Sequence, residues 1–163
     1  MKRWLLAVLL SVSVLIILVG CARPSGNPSV ALASSTTPGG SPSAANGRSI
    51  YFYSTSASDE HISYTDGPGG RMQGPLACVT CHGSEGQGGT VNLMMQTFDV
   101  PDITWPTLTG QYEDHKPFNE ETVKQAITQG VDPAGNSLEY PMPRWQMSAQ
   151  DLNDLVSFIK TLK

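Results

Sequence analysis

The last segment of the chain has apolar residues at helical spacing, and this pattern predicts a helix from about Ser148 to Leu162. Ser148 and Asp151 suit the start of that helix, because a hydroxyl three residues before an acidic side chain resembles a capping box. The apolar stripe consists of Leu152, Leu155, Val156, Ile159 and Leu162. We expect this stripe to pack in the core.

A second helix is predicted between residues 119 and 129, with signals at both ends. Asn119 can cap its first N–H groups, and Gly130 can end it. The residues expected on its apolar face are Val123, Ala126 and Ile127. We therefore expect this helix to lie on the same core as the last one.

The remaining pattern is weaker. Residues 47–52 predict a short first helix, and residues 54–75 predict a polar, glycine-rich loop with a brief strand at 62–65. The two prolines of residues 101–110 predict an extended segment. Helical periodicity is thus the dominant pattern in this part of the chain.

The N-terminus is an apolar run, residues 4–19, which follows two basic residues. It is too short to span a membrane comfortably and is typical of a secretory signal. Residues 18–21, Leu-Val-Gly-Cys, resemble a bacterial lipobox. This resemblance implies that residues 1–20 are a lipoprotein signal peptide and that Cys21 carries the lipid. A plain signal peptide cut elsewhere and an uncleaved anchor helix are the alternatives.

The segment that follows, residues 21–46, is rich in Ser, Pro, Gly and Ala. Such a composition cannot bury enough apolar surface to fold, and it predicts a flexible tether with a reach of about 25–30 Å. We expect an exported protein, lipid-anchored to a bacterial membrane and facing the periplasm or the cell exterior. Residues 47–163 are predicted to form the single folded domain.

Composition adds two constraints. Aromatic residues make up only 7% of the chain, which is little for a core, so a bulky apolar cofactor would supply missing volume. The formal net charge is −4, and without residues 1–20 it becomes −6, from 8 basic and 14 acidic residues. This charge argues against a nucleic-acid partner and suits a partner protein with a basic patch.

The motif that carries chemistry is Cys78-Val79-Thr80-Cys81-His82, the C-x-x-C-H pattern of c-type haem attachment. Two thiols at this spacing can add to the two vinyl groups of one haem, and the following imidazole can ligate the iron. We therefore predict one haem c, covalently bound through Cys78 and Cys81, with His82 as an axial ligand. The glycine-rich run 83–89 would let the backbone pass close to a flat ring.

Two other chemistries use a C-x-x-C pair. A zinc site needs further thiols or a histidine pair at ligand spacing, and no Cys lies downstream. A thioredoxin-like dithiol is typical of a βαβ context, and little strand–helix alternation surrounds this motif. The haem interpretation is favoured over both.

The best candidate for the second axial ligand is Met142, because Pro141 and Pro143 stiffen the backbone on either side of it. Simple packing is the alternative role for Met142. The competing ligands by residue type are Met72, Met94, Met95, Met147, His61 and His115. None of them has a comparably rigid frame.

Taken together, residues 47–163 resemble a class I, mono-haem, small bacterial cytochrome c. The matching positions, in order, are Gly47, Ile50-Tyr51, Cys78-x-x-Cys81-His82-Gly83, Gly86, Gly88, Pro106-x-Leu108-x-Gly110, Ile127 to Gly130, Met142-Pro143 and Ser148-x-x-Asp151-Leu152. The resemblance implies an all-α, class I cytochrome c fold, with about four short helices around one covalently bound haem. The chain departs from it at residues 53–77, a loop insertion before the haem motif.

The resemblance also implies roles for individual residues. Gly47 and Tyr51 would cross the last helix near Phe158 and Ile159. The carbonyl of Pro106 would accept the second imidazole N–H of His82. Arg144 and Trp105 could contact the haem propionates, with packing or solvation as equal alternatives.

Two functions follow from these patterns. The first is a membrane-tethered electron carrier, not an enzyme, which passes single electrons between redox partner proteins through a His/Met-ligated iron. The second is a haem enzyme or a gas or peroxide sensor with an open or displaceable sixth position. Bis-His ligation by His115 and a subunit of a larger respiratory complex are variants of the first function.

Overall fold

The computed structural model describes residues 41–58, 60–68, 76–93, 95–111 and 116–163. Four of the sequence predictions lie outside these ranges: the signal peptide, the Cys21 lipid site, most of the tether, and ligand roles for Met72, Met94 and His115. No helix of the described segments is long and apolar enough to cross a membrane.

The described residues form five helices and four short strands. The helices are α1 (Ala44–Tyr53), α2 (Cys78–His82), α3 (Trp105–Thr109), α4 (Glu120–Gln129) and α5 (Ala149–Ile159). The strands are β1 (Ser63–Thr65), β2 (Gly89–Leu93), β3 (Gln96–Val100) and β4 (Arg144–Gln146). They form two antiparallel pairs, β1 with β4 and β2 with β3.

These two pairs correct the all-α prediction. The hairpin β2–β3 follows an alternation in which every second residue is half-buried, and Val91 lies opposite Phe98. In the other pair Tyr64 lies opposite Trp145, and their ring centroids are 5.2 Å apart. Such cross-strand aromatic and β-branched pairs stabilise even very short strands.

The segment 101–110 was predicted to be extended, and this is also corrected. Its second half is the helix α3, with Pro106 in the first turn. Proline is compatible with that position, because the N–H groups of the first turn have no partner within the helix.

The two predicted C-terminal helices are confirmed, with their end signals. The Asn119 side chain accepts from the Thr122 N–H at 2.9 Å, and Gly130 ends α4 in the left-handed conformation. The Ser148 hydroxyl accepts from the Asp151 N–H at 3.1 Å. The last helix ends at Ile159, three residues before the predicted end.

The first helix begins earlier than predicted, and the boundary between tether and domain is corrected accordingly. Ser43 caps α1, and its N–H donates to the Asp154 carboxylate at 2.7 Å. The Asn46 amide donates to the same carboxylate at 2.7 Å and to Asp151 at 3.0 Å. Residues 43–46, assigned above to the tether, therefore belong to the folded domain.

The helices α1 and α5 cross at the residues that the resemblance implied. A Cβ on Gly47 would lie 1.9 Å from the Asp154 carbonyl oxygen, so only glycine allows this approach. The rings of Tyr51 and Phe158 lie 5.2 Å apart across the crossing. The buried core comprises Ile50, Tyr51, Ile62, Leu108, Val123, Ile127, Trp145, Leu155, Val156, Phe158, Ile159 and Leu162.

Candidate haem site

The C-x-x-C-H motif is itself the short helix α2, which places the thiols of Cys78 and Cys81 three residues apart and so on neighbouring positions of one face. His82 is its last residue and is 7% exposed. Both cysteines are free thiols, and all three side chains line one cavity. The three groups required for covalent attachment and iron ligation are therefore together.

The His82 imidazole has a fixed orientation and a fixed tautomer. Its Nδ1 lies 3.1 Å from the carbonyl oxygen of Pro101. A carbonyl can only accept, so Nδ1 carries the proton and Nε2 keeps its lone pair for a metal. Burial lowers the pKa of His82, and the hydrogen bond to Pro101 opposes that shift. The imidazole is thus held in the neutral form that iron requires.

This hydrogen bond corrects one implied role. The carbonyl that meets His82 belongs to Pro101 and not to Pro106, which lies exposed in the first turn of α3. Pro101 lies next to His82 because the segment around it is bonded to the glycine-rich run. The Ile103 N–H donates to the Gly86 carbonyl at 2.7 Å. The glycine-rich run consequently packs against residues 100–103 and does not line the cavity.

The cavity has a volume of about 660 Å³. This volume is within the range of about 300–1,000 Å³ that is usual for cofactor and ligand sites. Its wall is mainly apolar, with side chains from α4, α5 and the two loops that precede α3 and β4. Its innermost apolar contributors include Leu108, Val123, Ile127, Leu155 and Ile159. A large apolar ring with thiol and imidazole attachment points fits this donor set and this wall.

Burial also sets the state of the thiols. It raises the pKa of Cys78 to about 12, against a smaller lowering by a backbone hydrogen bond, and it raises the pKa of Cys81 in the same direction. A thiol whose pKa lies this high stays protonated at neutral pH. Burial therefore disfavours the thiolate form of both cysteines.

Met142 lines the same cavity as His82. Its N–H donates to the Glu139 carbonyl at 3.2 Å, and its own carbonyl accepts from the Arg144 guanidinium. Pro143 is buried, and the peptide between Tyr140 and Pro141 is cis. Both polar groups of the Met142 backbone are thus hydrogen-bonded.

The other candidate ligands in the described residues lie elsewhere. Met95 is fully exposed at the tip of the β2–β3 hairpin. Met147 and His61 line a second, smaller cavity between β1 and the start of α5. Of the methionines and histidines competing for the iron, the described cavity wall contains only His82 and Met142.

The two residues proposed for propionate contact do not line the cavity wall. Lys160 lies over the Trp105 ring, with its Nζ 5.4 Å from the ring centroid. Arg144 directs its guanidinium at two backbone carbonyls, those of Met142 and Leu138. The structure thus gives packing and hydrogen-bonding partners to both.

Three features of the site were missed from the sequence. Pro101 was treated only as an extended residue, and no local pattern distinguishes its carbonyl from that of Pro106. The Tyr51 hydroxyl donates to the Gly83 carbonyl at 2.7 Å and so ties α1 to the end of the haem motif. The ring of Phe98 lies 5.9 Å from that of Tyr140, and both line the cavity. The alternation of residues 89–100 was the one available signal for Phe98.

A thiol pair and a tautomer-fixed histidine on one wall of a large apolar cavity define a c-type cytochrome. The family model described as cytochrome c matches residues 64–163, well over half of the chain, and the chain belongs to this family. It therefore carries haem c, covalently bound through Cys78 and Cys81, with His82 in its attachment motif. No curated protein matches the chain, and no solved structure does either.

Membership settles the broad function. The cytochrome c family is one of haem-based electron transfer and is in general not enzymatic. When bound, the haem supplies an iron that changes oxidation state by one electron. The residues of this chain fix the imidazole, enclose the apolar ring and provide the second candidate ligand.

Proposed function

We propose that the protein is a membrane-tethered, mono-haem electron carrier whose iron is ligated by His82 and Met142. The observation that supports this most is the shared cavity wall, in which Met142 is the one methionine among the described residues. A thioether is a weak ligand, so a backbone held at both its N–H and its carbonyl helps to keep it in place. Met ligation also raises the reduction potential.

A carrier fits this wall better than an enzyme or a sensor. Six-coordinate iron has no open position, and a site that keeps both ligands in both oxidation states needs little reorganisation on electron transfer. His61, one of the two histidines considered as an acid or base for peroxide chemistry, lies at the second cavity and not on the haem cavity wall. The alternative, an open or displaceable sixth position, requires that Met142 does not bind.

The export and the lipid anchor are supported by the sequence alone. The lipobox-like residues 18–21 place a cysteine where a lipid would be attached, and Cys21 is not part of the haem motif. Several acyl chains would make the attachment durable. The protein would then work on a membrane surface of the periplasm or the cell exterior, the side on which bacteria attach haem c.

The redox partner proposed here is a protein with a basic docking surface. The cavity wall contains four carboxylates, and among its described residues there is no Lys or Arg. The four are Asp99, Asp102, Asp132 and Glu139. Such a field accelerates encounter with a positively charged partner and makes the rate fall with ionic strength. A cationic reductant such as hexaammineruthenium should accordingly react more slowly at high salt, whereas an anionic one should react faster.

The first test is the absorption spectrum of the oxidised, haem-loaded full chain. We expect the weak near-infrared band of a methionine sulfur bonded to ferric haem, and we expect Met142→Ala to abolish it. Met147→Ala is the matched control, because that methionine does not line the haem cavity. A wild-type protein without the band, with a high-spin spectrum and a reduced form that binds carbon monoxide, would move the function to an enzyme or sensor.

A further inference from the structure

Arg144, the first residue of β4, has an unusual set of partners. Its guanidinium donates to the Met142 carbonyl and, at 2.8 Å, to the Leu138 carbonyl. Within the described residues the one ion pair is that of Lys160 with Glu120, so Arg144 is not engaged by a carboxylate there. The guanidinium instead donates hydrogen bonds to two backbone oxygens, one at the start and one at the end of the segment 138–142.

The end of α4 is shaped to receive this guanidinium. A Cβ on Gly130 would lie 1.8 Å from Nε and 2.0 Å from Cζ of Arg144, so any other residue would displace the side chain. Gly130 also has a φ of 66°, which few other residues adopt. The Gly130 carbonyl accepts from the Leu138 N–H at 2.7 Å, which joins the same segment to the helix end.

As a result, both polar backbone groups of Met142 are hydrogen-bonded. The N–H is bonded to Glu139 at 3.2 Å and the carbonyl to Arg144. Proline rings on both neighbours restrict φ there. Arg144 is the one side chain that closes this arrangement, because the remaining bonds run within the backbone.

We propose that Arg144 is a positioning residue that latches the Met142 segment against the end of α4. We call this arrangement the carbonyl latch: the Arg144 guanidinium, the carbonyls of Leu138 and Met142, and the bare face of Gly130. Its role is to slow the departure of the methionine sulfur from the iron. The proposal rests on the proposed ligation by Met142, and it assigns Arg144 no contact with the haem.

The test measures how fast cyanide binds to the ferric, haem-loaded full chain. Cyanide must displace the methionine, so the limiting rate of cyanide binding reports how fast the Met142 sulfur leaves the iron. Hydrogen bonds to charged groups are worth enough for Arg144→Gln to raise this rate about tenfold or more. Arg144→Lys keeps the charge but lacks the planar guanidinium, so its cyanide-binding rate should lie between those of the wild type and Arg144→Gln. Arg48→Gln is the matched control, because Arg48 lies over the Phe52 ring on α1.

Gly130→Ala tests the latch from its other side. It should raise the cyanide rate in the wild-type background and add little in Arg144→Ala, because that variant removes the side-chain atoms that a Cβ on Gly130 would meet. Backbone strain at Gly130 is common to both backgrounds and cancels in this comparison. Equal increments in the two backgrounds would mean that the glycine does not act through Arg144.

A second readout does not depend on iron ligation. Amide hydrogen exchange at Met142 should accelerate about fivefold or more in Arg144→Gln. Exchange at Val123, whose N–H is bonded to Asn119 at 2.9 Å, should not change. If the wild type lacks the near-infrared band but Met142 exchange accelerates, the ligation proposal fails and the latch loses its role at the iron, although Arg144 still holds the Met142 segment. If the band is present and neither readout moves by more than twofold, the latch is overturned.

Discussion

The crossing of α1 and α5 and the wall of the haem cavity are both interior regions, but they are completed in different ways. At the crossing, protein atoms meet protein atoms: Gly47 lies against the Asp154 backbone and Tyr51 against Phe158. At the cavity, side chains from helices, strands and loops along the chain surround about 660 Å³. Protein interiors are otherwise close-packed, so this wall is completed by the covalent haem and not by the chain.

The comparison teaches where each kind of change should act. A substitution at the crossing changes contacts between protein atoms only. It should change the stability of the protein whether or not the iron ligation changes. A substitution at the wall acts through the haem. Tyr51 links the crossing to the haem motif, because its hydroxyl donates to the Gly83 carbonyl.

The largest effect is expected from removing the covalent attachment. Cys78→Ala with Cys81→Ala deletes both thioether links, so we expect loss of haem that survives denaturing electrophoresis and loss of a cooperative thermal transition. Haem staining and circular dichroism measure these two outcomes. A haem-free double variant that unfolds cooperatively at the wild-type temperature would show that the wall does not depend on the haem.

The next largest effect is expected at the crossing. Gly47→Ala places a methyl group where the Asp154 carbonyl lies, and overpacking of this kind destabilises by about 3 kcal/mol. Alanine would otherwise favour a helix, so a loss of stability identifies the contact. Denaturant unfolding measures it, and the exposed Ala45→Val on the same helix should change stability by less than about 1 kcal/mol. A stabilised Gly47→Ala would contradict the close crossing.

Tyr51→Phe sharpens the comparison at the point where the regions meet. It removes one hydroxyl and leaves the ring packing, so we expect a loss of about 1–2 kcal/mol in the free energy of unfolding. Burial raises the pKa of Tyr51 above its ordinary value, which favours the protonated hydroxyl that donates to Gly83. Tyr53→Phe, at an exposed tyrosine of the same helix, is the control and should be neutral.

The smallest effect is expected at the surface pair of Lys160 and Glu120, which belongs to neither region. Its lysine lowers the pKa of Glu120 below the ordinary 4.5, first through the hydrogen bond and then through its charge. Because the pKa of Glu120 is lower in the folded state, the pair contributes fully to the free energy of unfolding above about pH 4.5. This contribution is lost as the pH falls through the folded-state pKa. Glu120→Gln should cost at most about 0.5 kcal/mol at pH 7 and less at acidic pH. Glu121→Gln is its matched control.

The sequence predicted those parts of the molecule that local chemistry specifies. The caps at Asn119, Gly130 and Ser148 are short-range signals, and the helices begin and end at or near them. The haem motif is one helix, so its spacing alone places the thiols. Met142 was selected by its flanking prolines, and the structure puts it on the cavity wall.

The parts that the sequence did not predict depend on contacts between distant segments. Whether Pro101 or Pro106 meets His82 depends on how residues 101–103 pack against the glycine-rich run. The strand β4 forms because β1, which lies about 80 residues earlier in the chain, pairs with it. A pattern of only three residues cannot predict such a pairing. The resemblance offered propionate contact, packing or solvation for Arg144, whereas its guanidinium donates to two backbone oxygens near the end of α4.

The Asp154 carboxylate has a mechanical consequence. One of its oxygens accepts from the Ser43 N–H and from the Gln150 amide, and the other accepts from the Asn46 amide. A pull on the chain ahead of residue 43 therefore reaches α5 through this buried carboxylate before it can unwind α1. These hydrogen bonds join the start of α1 to α5, so a pull on the leading segment loads both helices together.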